Sequence, residues 1–256
     1  LLHRKGIKWF KKILLDKYFR KEIKPLRKES ENKLIDYLGW HKQNEDYFFV
    51  GLPLLSGRLS GKKKSLIRDL VEENDLNLRL TPNQDILLCN IPNKNKSKIK
   101  KALKKIGYDN LNDINEIQRH ALACPALPLC GLAMTEAERI LPEVLTRIEN
   151  LLTDMNIEKT ILFRMTGCPN GCTRPYMAEL ALVGSGQNKY QLWLGGSKNL
   201  QRLAKPYLQR MELDDLEKTI QPLLKFWKKS SAEKDFGDFI NNQKESFITK
   251  LLSEIN

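Results

Sequence analysis

Four of the five cysteines fall into two close pairs. Cys124 and Cys130 are separated by five residues, Cys168 and Cys172 by three, and Cys89 stands alone at the end of an apolar run. Four thiolates are the ligand set of a [4Fe–4S] cluster or of a structural zinc ion. An odd number of cysteines, with no secretory signal in view, argues against a disulfide framework. The pattern predicts a metal or cluster site in a reducing compartment, and Cys89 is interpreted as a core residue.

The residues around the first pair favour a cluster over zinc. Zinc turns more often have C-x2-C spacing and polar surroundings, whereas the segment from Cys124 to Cys130 is Cys-Pro-Ala-Leu-Pro-Leu-Cys. Such dry surroundings shield a redox cluster from water and set its potential. Pro125, Pro128 and Pro169 also keep both loops out of a helical path. The pattern alone favours an iron–sulfur cluster, while zinc and unligated core thiols stay open as alternatives.

Regular elements are predicted around these loops. The run from Thr160 to Met165 predicts a strand that leads directly to Cys168, so the second pair lies on a loop at the end of a strand. Thr135-Glu136-Ala137-Glu138 has the form of a capping box, which predicts a helix that starts directly behind the first pair. Pro142 is the position at which this helix would bend or restart one turn later. Further strands are expected at 180–183 and 190–194, and helices near 198–211, 213–229 and 238–254.

Residues 42–110 predict a separate kind of unit. Their order is strand, helix, strand, strand, helix, with strands at 47–50, 76–80 and 86–89 and helices at 64–73 and 96–106. This order is ferredoxin-like in outline. The fold class is therefore predicted as α+β. Three parts are expected: a basic helical connecting segment at 1–41, the ferredoxin-like unit at 42–110, and an α/β domain with the cysteine pairs at 111–256.

The net charge of +13 belongs to the first part of the chain. Residues 1–110 hold 26 Lys and Arg against 13 Asp and Glu, whereas residues 111–256 hold 18 of each sign. Such a field attracts anionic partners, whether nucleic acid, an acidic protein or a small anion, without choosing among them. No nucleic-acid-binding motif accompanies it. The longest apolar run has fourteen residues and contains two prolines, so no membrane-spanning segment is expected.

The cysteine segments resemble those of assimilatory sulfite reductases. Ala121-Leu-Ala-Cys-Pro-Ala-Leu-Pro-Leu-Cys130 and Arg164-Met-Thr-Gly-Cys-Pro-Asn-Gly-Cys-Thr-Arg-Pro-Tyr-Met-Ala-Glu179 are similar to the siroheme and [4Fe–4S] segments of the ferredoxin-dependent, plant and cyanobacterial branch. Shorter similarities lie at Met134–Arg139, Tyr190–Gly196, Phe236–Phe239 and Arg79–Gln84. The resemblance runs from about residue 42 to the end. It identifies 42–110 as a nitrite/sulfite reductase half-repeat and 111–256 as a siroheme and [4Fe–4S] binding domain.

The resemblance also implies which residues hold the cofactors. Cys172 would ligate the cluster and would be the axial sulfur shared with the siroheme iron. Thr166, Asn170 and Arg174 on the same loop would contact the siroheme or its carboxylates, and a guanidinium suits a carboxylate because it binds it bidentately. The full set of cluster ligands would be Cys124, Cys130, Cys168 and Cys172. Catalytic residues stay unassigned, because no position matches the family's basic substrate-binding residues.

The activity that the resemblance implies is the six-electron reduction of sulfite to sulfide in sulfur assimilation. The electron donor would be an acidic ferredoxin, which fits the basic first part of the chain, since complementary charge speeds association. An NADPH flavoprotein is the rival donor. Ferredoxin–nitrite reductase, with the same cysteine spacings and siroheme, is the nearest alternative enzyme. A basic nucleic-acid-binding module with a structural metal site is the alternative of another class.

Members of that family are roughly twice as long as this sequence. The sequence begins Leu-Leu-His-Arg, without an initiator methionine. It is therefore interpreted as the C-terminal half of a longer enzyme, and the missing N-terminal half is expected to supply the substrate-binding residues. The expected location is the cytoplasm, or the plastid stroma if the source is a plant or alga.

Overall fold

The computed structural model describes residues 2–18, 34, 36–111, 114–230 and 235–253. The chain separates into two units, residues 1–32 and 33–256. In the first unit, helix α1 (Leu2–Lys17) bends at Gly6, whose φ of 79° is not helical. Between Tyr18 and Asp36 only Leu34 is described, so most of the second half of the segment predicted at 1–41 lies outside the described residues.

The second unit begins with a four-stranded antiparallel sheet. Its strands are β1 (Gly39–Lys42), β2 (Tyr47–Leu52), β3 (Asn77–Leu80) and β4 (Ile86–Pro92), in the spatial order β1-β2-β4-β3. Helix α2 (Gly61–Glu73) lies between β2 and β3 in the chain, and α3 (Lys96–Lys105) follows β4. The predicted order of strand, helix, strand, strand, helix is confirmed. The sequence did not predict β1, which has only four residues and no apolar alternation.

The core of this sheet is built from the periodicity of its elements. Alternate residues of β2, Val50 and Leu52, are fully buried, as expected for a strand with one covered face. The buried residues of the helices are spaced by three or four positions, which places them on one side of each helix. They are Ile67 and Leu70 in α2, and Ile99 and Leu103 in α3. Cys89 on β4 is buried, which confirms it as a core residue.

A five-stranded mixed sheet forms the rest of the second unit. Its strands are β5 (Leu122–Ala123), β6 (Phe163–Thr166), β7 (Leu180–Gly186), β8 (Lys189–Leu194) and β9 (Lys205–Glu212), adjacent in this order. β5, β6 and β7 are parallel, whereas β8 and β9 are antiparallel to their neighbours. The helices are α4 (Glu116–His120), α5 (Leu141–Asp154), α6 (Leu216–Lys229), α7 (Phe236–Asn242) and α8 (Glu245–Ser253). The predicted α+β fold class is confirmed.

Helix α5 contributes the main apolar stripe of this part. Val144, Leu145 and Ile148 are essentially fully buried in a core shared with β6, β7 and α6. The predicted start behind Thr135 was wrong, whereas a restart at Pro142 agrees with the observed helix, since α5 begins at Leu141. Pro142 suits the first helical turn, where its missing N–H costs nothing. The Thr135 hydroxyl instead donates to the hydroxyl oxygen of Tyr190 at 3.1 Å.

Two helix predictions near the C-terminus need correction. No helix forms near 198–211 as predicted, and the segment from Lys205 onward is the edge strand β9, paired with β8. Pro206 is compatible with an edge strand. Proline has no backbone N–H, and on the outer side of an edge strand no neighbouring strand needs that donor. The single helix predicted at 238–254 is two helices, α7 and α8, separated at Gln243 and Lys244. The helix predicted at 213–229 is confirmed as α6.

Across the described residues, the structure contains no helix that is both long and apolar enough to cross a membrane. Both sheets lie within the unit 33–256. The finer division at 41/42 and at 110/111 stays a prediction of the sequence, and β1 spans residues on both sides of the first of these boundaries.

Candidate functional site

The two cysteine pairs follow neighbouring parallel strands. Ala123 at the end of β5 is in register with Met165 near the end of β6. Cys124 therefore comes directly after one strand, and Cys168 comes two residues after the other. Loops at the carboxyl ends of parallel strands meet at one edge of the sheet, which is the usual place for a ligand site in such sheets. Cys124 and Cys168 are each 7% exposed.

The first cysteine loop folds back on itself through backbone hydrogen bonds. The N–H of Cys130 donates to the carbonyl oxygen of Ala126 at 2.7 Å, and the N–H of Leu127 donates to that of Thr135 at 3.3 Å. The N–H of Glu138 donates to the carbonyl oxygen of Cys124 at 3.1 Å. These bonds bring residue 138 back to Cys124 and so close the loop. Cys130 lies within this loop and is half-buried.

The second cysteine loop is fixed by two buried threonines. The Thr166 hydroxyl donates to the carbonyl oxygen of Cys168 at 2.9 Å, and the Thr173 hydroxyl donates to that of Met165 at 3.0 Å. The Thr166 bond shapes the start of the loop, and the Thr173 bond joins the end of the loop to β6 and so closes it at its base. Cys172 is exposed, unlike Cys124 and Cys168.

Glycines let the two loops approach each other. A Cβ at Gly167 would lie 2.6 Å from the Ala126 Cβ and 2.8 Å from the Thr135 carbonyl oxygen. A Cβ at Gly184 on β7 would lie 2.3 Å from the Gly167 carbonyl oxygen. Both distances are too short for a side chain. The N–H of Gly167 can therefore reach the sulfur of Cys124, to which it donates at 3.2 Å.

The thiols influence one another electrically. Burial raises the pKa of Cys124, the N–H groups of Gly167 and Ala126 lower it, and the neighbouring Cys172 and Cys168 raise it. A thiolate in this place is therefore disfavoured until a positive group joins the site. Within the part of the chain that the structure describes, no three His, Cys, Asp or Glu side chains are arranged as a ready metal site.

The donor set nevertheless suits an iron–sulfur cluster in its chemistry. Four thiols lie on two loops at one sheet edge, and one sulfur already accepts a backbone N–H. Backbone hydrogen bonds to sulfur and partial burial are the features with which proteins hold and tune such clusters. The four cysteines therefore fit the group, and their role as ligands stays a prediction.

The three predicted siroheme contacts lie in different settings. Thr166 is buried, and its hydroxyl hydrogen is used within its own loop. Asn170 is exposed on the loop between Cys168 and Cys172. Arg174 is half-buried with a φ of 55°, and its Nη2 donates to the carbonyl oxygen of Pro82 at 2.6 Å. Asn170 and Arg174 can reach a group outside the loop, whereas Thr166 shapes the loop from within.

The turn between β3 and β4 contacts the residue before the first cysteine loop and the end of the second loop, and no role was predicted for it. Besides the Arg174 bond to Pro82, the Nε2 of Gln84 donates to the carbonyl oxygen of Ala123 at 3.0 Å. The Oε1 of Gln84 is buried and has no hydrogen-bond partner among the described residues. The similarity of the segment Arg79–Gln84 to sulfite reductases was the only sequence feature that could have indicated a role for this turn.

Sequence reasoning also missed a buried arginine beside the second loop. Arg164 on β6 is 1% exposed, and its Nη1 donates to the carbonyl oxygen of Arg174 at 3.2 Å. Burial, together with the charge of Arg174, lowers its pKa to about 10. Its Nε has no partner among the described residues. The position of this arginine within an apolar strand is the sequence feature that could have identified it as buried.

A buried carboxylate joins the far end of the same motif to a distant helix. Glu179 is fully buried, and its two oxygens accept the N–H groups of Leu162 at 2.9 Å and Gly237 at 2.8 Å. Burial raises its pKa to about 7. Glu179 therefore connects Leu162, the residue before β6, to the start of α7.

Comparisons with known proteins agree with the cysteine motifs. Residues 41–106 match the family described as the nitrite/sulfite reductase ferredoxin-like half domain. The chain is 45% identical over 245 residues to the "Sulfite reductase [ferredoxin]" of Synechococcus elongatus, covering 93% of this chain and 39% of that protein. It is 34% identical to the "Sulfite reductase [NADPH] hemoprotein beta-component" of Staphylococcus carnosus, covering 93% of this chain and 42% of that protein.

A solved structure has the same fold. The NirA protein of Mycobacterium tuberculosis superposes with a TM-score of 0.75 at 22% identity, over 96% of this chain and 48% of that one. The chain thus spans about two fifths of the length of the curated relatives that it matches. The resemblance to ferredoxin-dependent sulfite reductases, drawn from the motifs, is confirmed.

Proposed function

We propose that this chain, being similar over nearly its whole length to ferredoxin-dependent sulfite reductases, is the part of such an enzyme that holds siroheme and a [4Fe–4S] cluster. The reaction takes six electrons and seven protons and converts sulfite into hydrosulfide and three water molecules. The observation that supports it most is the meeting of two cysteine loops at one sheet edge, in a chain 45% identical to a sulfite reductase over 93% of its length.

Each cysteine has a part in this proposal. Cys124, Cys130, Cys168 and Cys172 would hold the cluster, and the exposure of Cys172 supports a second role in which its sulfur would be shared with siroheme. When bound, the coupled centre supplies an open iron position for the sulfur of sulfite and a store of electrons. The protein's own contribution is to bury Cys124 and Cys168 and to direct the Gly167 N–H at a sulfur.

The loop between Cys168 and Cys172 also faces the cofactor in this proposal. Asn170 is exposed at the loop, and Arg174 retains N–H groups beyond the one that bonds Pro82. A guanidinium with free N–H groups suits the carboxylates of siroheme. Thr166 acts through its bond to the Cys168 carbonyl oxygen and so holds the loop in shape.

The electron donor in this proposal is an acidic ferredoxin that docks on the basic helices of the first sheet. Lys62 and Lys63 of α2 line one groove with Lys105 of α3, and Lys62 and Lys105 are exposed. Asp69 and Glu73 line the same groove, so its three lysines outnumber its carboxylates by one. An excess of positive charge attracts an acidic protein and speeds its association. Relatives are named for both ferredoxin and NADPH, and the ferredoxin-named relative is the more similar of the two described above.

The remainder of a full-length enzyme would complete the site. Because the chain spans 39% of the ferredoxin-named relative, a separate N-terminal half would supply the residues that bind sulfite and deliver protons. The expected location is the cytoplasm or the plastid stroma, where thiols stay reduced and available to a cluster.

The test is a measurement of metal content and turnover. The chain is produced without oxygen in cells supplied with siroheme, and iron, acid-labile sulfide, zinc and the absorption spectrum are measured. We expect about five iron per chain, four from the cluster and one from siroheme, together with about four sulfide and a red chlorin-type band. Addition of an N-terminal half from a full-length relative should give sulfite reduction, and parallel assays with nitrite decide between the two substrates.

Two cysteine variants sharpen this test. Cys172→Ser should uncouple the cluster from siroheme and abolish turnover, whereas Cys89→Ala is the matched control, since Cys89 lies in the core on β4. A Cys172→Ser variant with full activity would overturn the bridging role. Zinc without iron would favour the basic module with a structural metal site instead.

A further inference from the structure

Tyr176 packs against the second cysteine loop from outside. Its hydroxyl donates to the carbonyl oxygen of Pro169, the residue after Cys168, at 2.6 Å. Its ring covers Gly171, the residue before Cys172, so closely that a Cβ at Gly171 would lie 2.8 Å from the Tyr176 Cε2. One side chain therefore touches the loop beside each of its two cysteines.

The Tyr176 ring is itself held in place from two sides. The backbone carbonyl oxygen of Tyr176 accepts the N–H of Ala204 at 2.7 Å, which fixes the backbone from which the ring extends. Its ring packs on the Trp193 ring, with centroids 4.5 Å apart. The indole N–H of Trp193 donates to the Oε1 of Gln191 at 2.9 Å, so the supporting ring is oriented as well. A side chain anchored in this way can hold a loop rather than follow it.

The contact with Pro169 also has an electrical consequence. A hydroxyl that donates to a carbonyl oxygen polarises the whole peptide group. The N–H of the same peptide group, which belongs to Asn170, therefore becomes a stronger donor. Donors and positive dipoles near cluster sulfurs favour the more negative, reduced cluster. The polarised peptide group joins Pro169 to Asn170, the two residues that directly follow Cys168 in the loop.

We propose that Tyr176 is a positioning residue for the loop from Cys168 to Cys172. It fixes the place of both sulfurs, limits the access of water to Cys168, and raises the reduction potential of the cluster that the loop holds. The effect on potential rests on the proposed function, whereas the effect on the loop does not.

The first experiment measures the loop without any cluster. In the cluster-free chain, alkylation of Cys168 is followed by mass spectrometry for the parent, Tyr176→Phe and Tyr176→Leu. We expect several-fold faster labelling in Tyr176→Phe, which loses only the hydroxyl, and a larger increase in Tyr176→Leu. Tyr207→Phe is the matched control, since Tyr207 is a half-buried tyrosine on β9 that packs on the main core.

The labelling of Cys89, measured in the same samples, reports general loosening of the fold. Equal Cys168 labelling in the parent and both Tyr176 variants would overturn the proposal. So would a rise at Cys168 that is matched by an equal rise at Cys89, because the substitution would then have loosened the whole chain.

The second experiment measures the potential of the loaded protein by redox titration followed by electron paramagnetic resonance. Tyr176→Phe should make the midpoint potential more negative, and Tyr207→Phe should leave it unchanged. An unchanged potential in Tyr176→Phe would overturn the electrical part. If the parent binds no iron at all, the proposed function fails, and the labelling result alone then decides the role of Tyr176.

Discussion

The two sheets of the second unit use polar side chains in opposite ways. Around β1 to β4 the described core is apolar, and the lysines of α2 and α3 are mostly exposed. Every buried polar or charged side chain of the described residues lies around the second sheet: Thr135, Arg164, Thr166, Thr173, Glu179, Ser197 and Thr219. The first sheet therefore presents charge on its surface, whereas the second keeps hydrogen-bonding groups in its interior.

The difference has a physical cause. Burying a polar group costs free energy unless it finds a partner, so such groups persist where they fix the backbone. Thr166, Thr173 and Glu179 each bond backbone groups between Leu162 and Cys168, in or just before the second cysteine loop. A cofactor loop needs such fixed geometry. A docking surface needs only charge, which long flexible lysines supply from solvent.

The largest effect is expected where the second sheet is most tightly packed. Gly184→Ala would place a Cβ 2.3 Å from the Gly167 carbonyl oxygen, so strand β7 and the cysteine loop must separate. We expect a loss of about 4 kcal/mol in the free energy of unfolding, measured with urea. Gly131→Ala is the control in the first cysteine loop, where a Cβ meets nothing within 4 Å. Equal unfolding midpoints for the two variants would contradict this packing.

A smaller effect is expected at the buried carboxylate. Because burial raises the folded pKa of Glu179 from 4.5 to about 7, its contribution to stability is full below pH 4.5 and is lost as pH rises through 7. The loss is roughly 3 kcal/mol. Glu179→Gln should remove this decline, seen as unfolding free energies at pH 5 and pH 8. Exposed Glu158→Gln should keep it, and identical pH profiles for the parent and Glu179→Gln would refute the assignment.

The smallest effect on the fold is expected at the basic helices. Lys62→Glu with Lys64→Glu changes two exposed side chains, so stability should stay within about 0.5 kcal/mol. Lys63 is left unchanged, because its Nζ lies 3.9 Å from the centre of the Tyr108 ring. Binding of an acidic ferredoxin, followed by stopped flow, should slow strongly at low salt and little at high salt.

The matched control for that pair reverses two exposed lysines of α6, Lys218 and Lys225, which belong to the other sheet. A loss of binding that is the same at low and high salt, or the same for both pairs, would remove the basic helices from the docking surface. In that case the basic surface of the first sheet would have no docking role, and only the polar interior of the second sheet would keep the function assigned to it.

Local patterns predicted most elements of both sheets. The spacing of apolar residues in α3, α5 and α6 and the apolar runs of β2, β6 and β8 depend on neighbours in the chain, so the sequence reveals them. The segment of β9 was misread, because its strand character comes from pairing with β8. A capping motif at Thr135 also misled, because that hydroxyl found a tertiary partner in Tyr190.

The contacts that shape the site were beyond local patterns. Gln84 bonds Ala123 across 39 positions, Arg174 bonds Pro82 across 92, and Glu179 bonds Gly237 across 58. Nothing in the periodicity of either partner marks such pairs. Only the motif Arg79–Gln84 hinted at the first two, and it did so by resemblance.

The sequence by itself determined the four cysteines, their spacings, the excess of basic residues before residue 110 and the fold class, because these follow from composition and short-range order. Only the tertiary structure decided that the two cysteine loops share a sheet edge, that Cys172 is exposed while Cys124 and Cys168 are buried, and that Tyr176 covers the second loop. The physical reason is that burial and hydrogen-bond partners depend on which distant segments pack together.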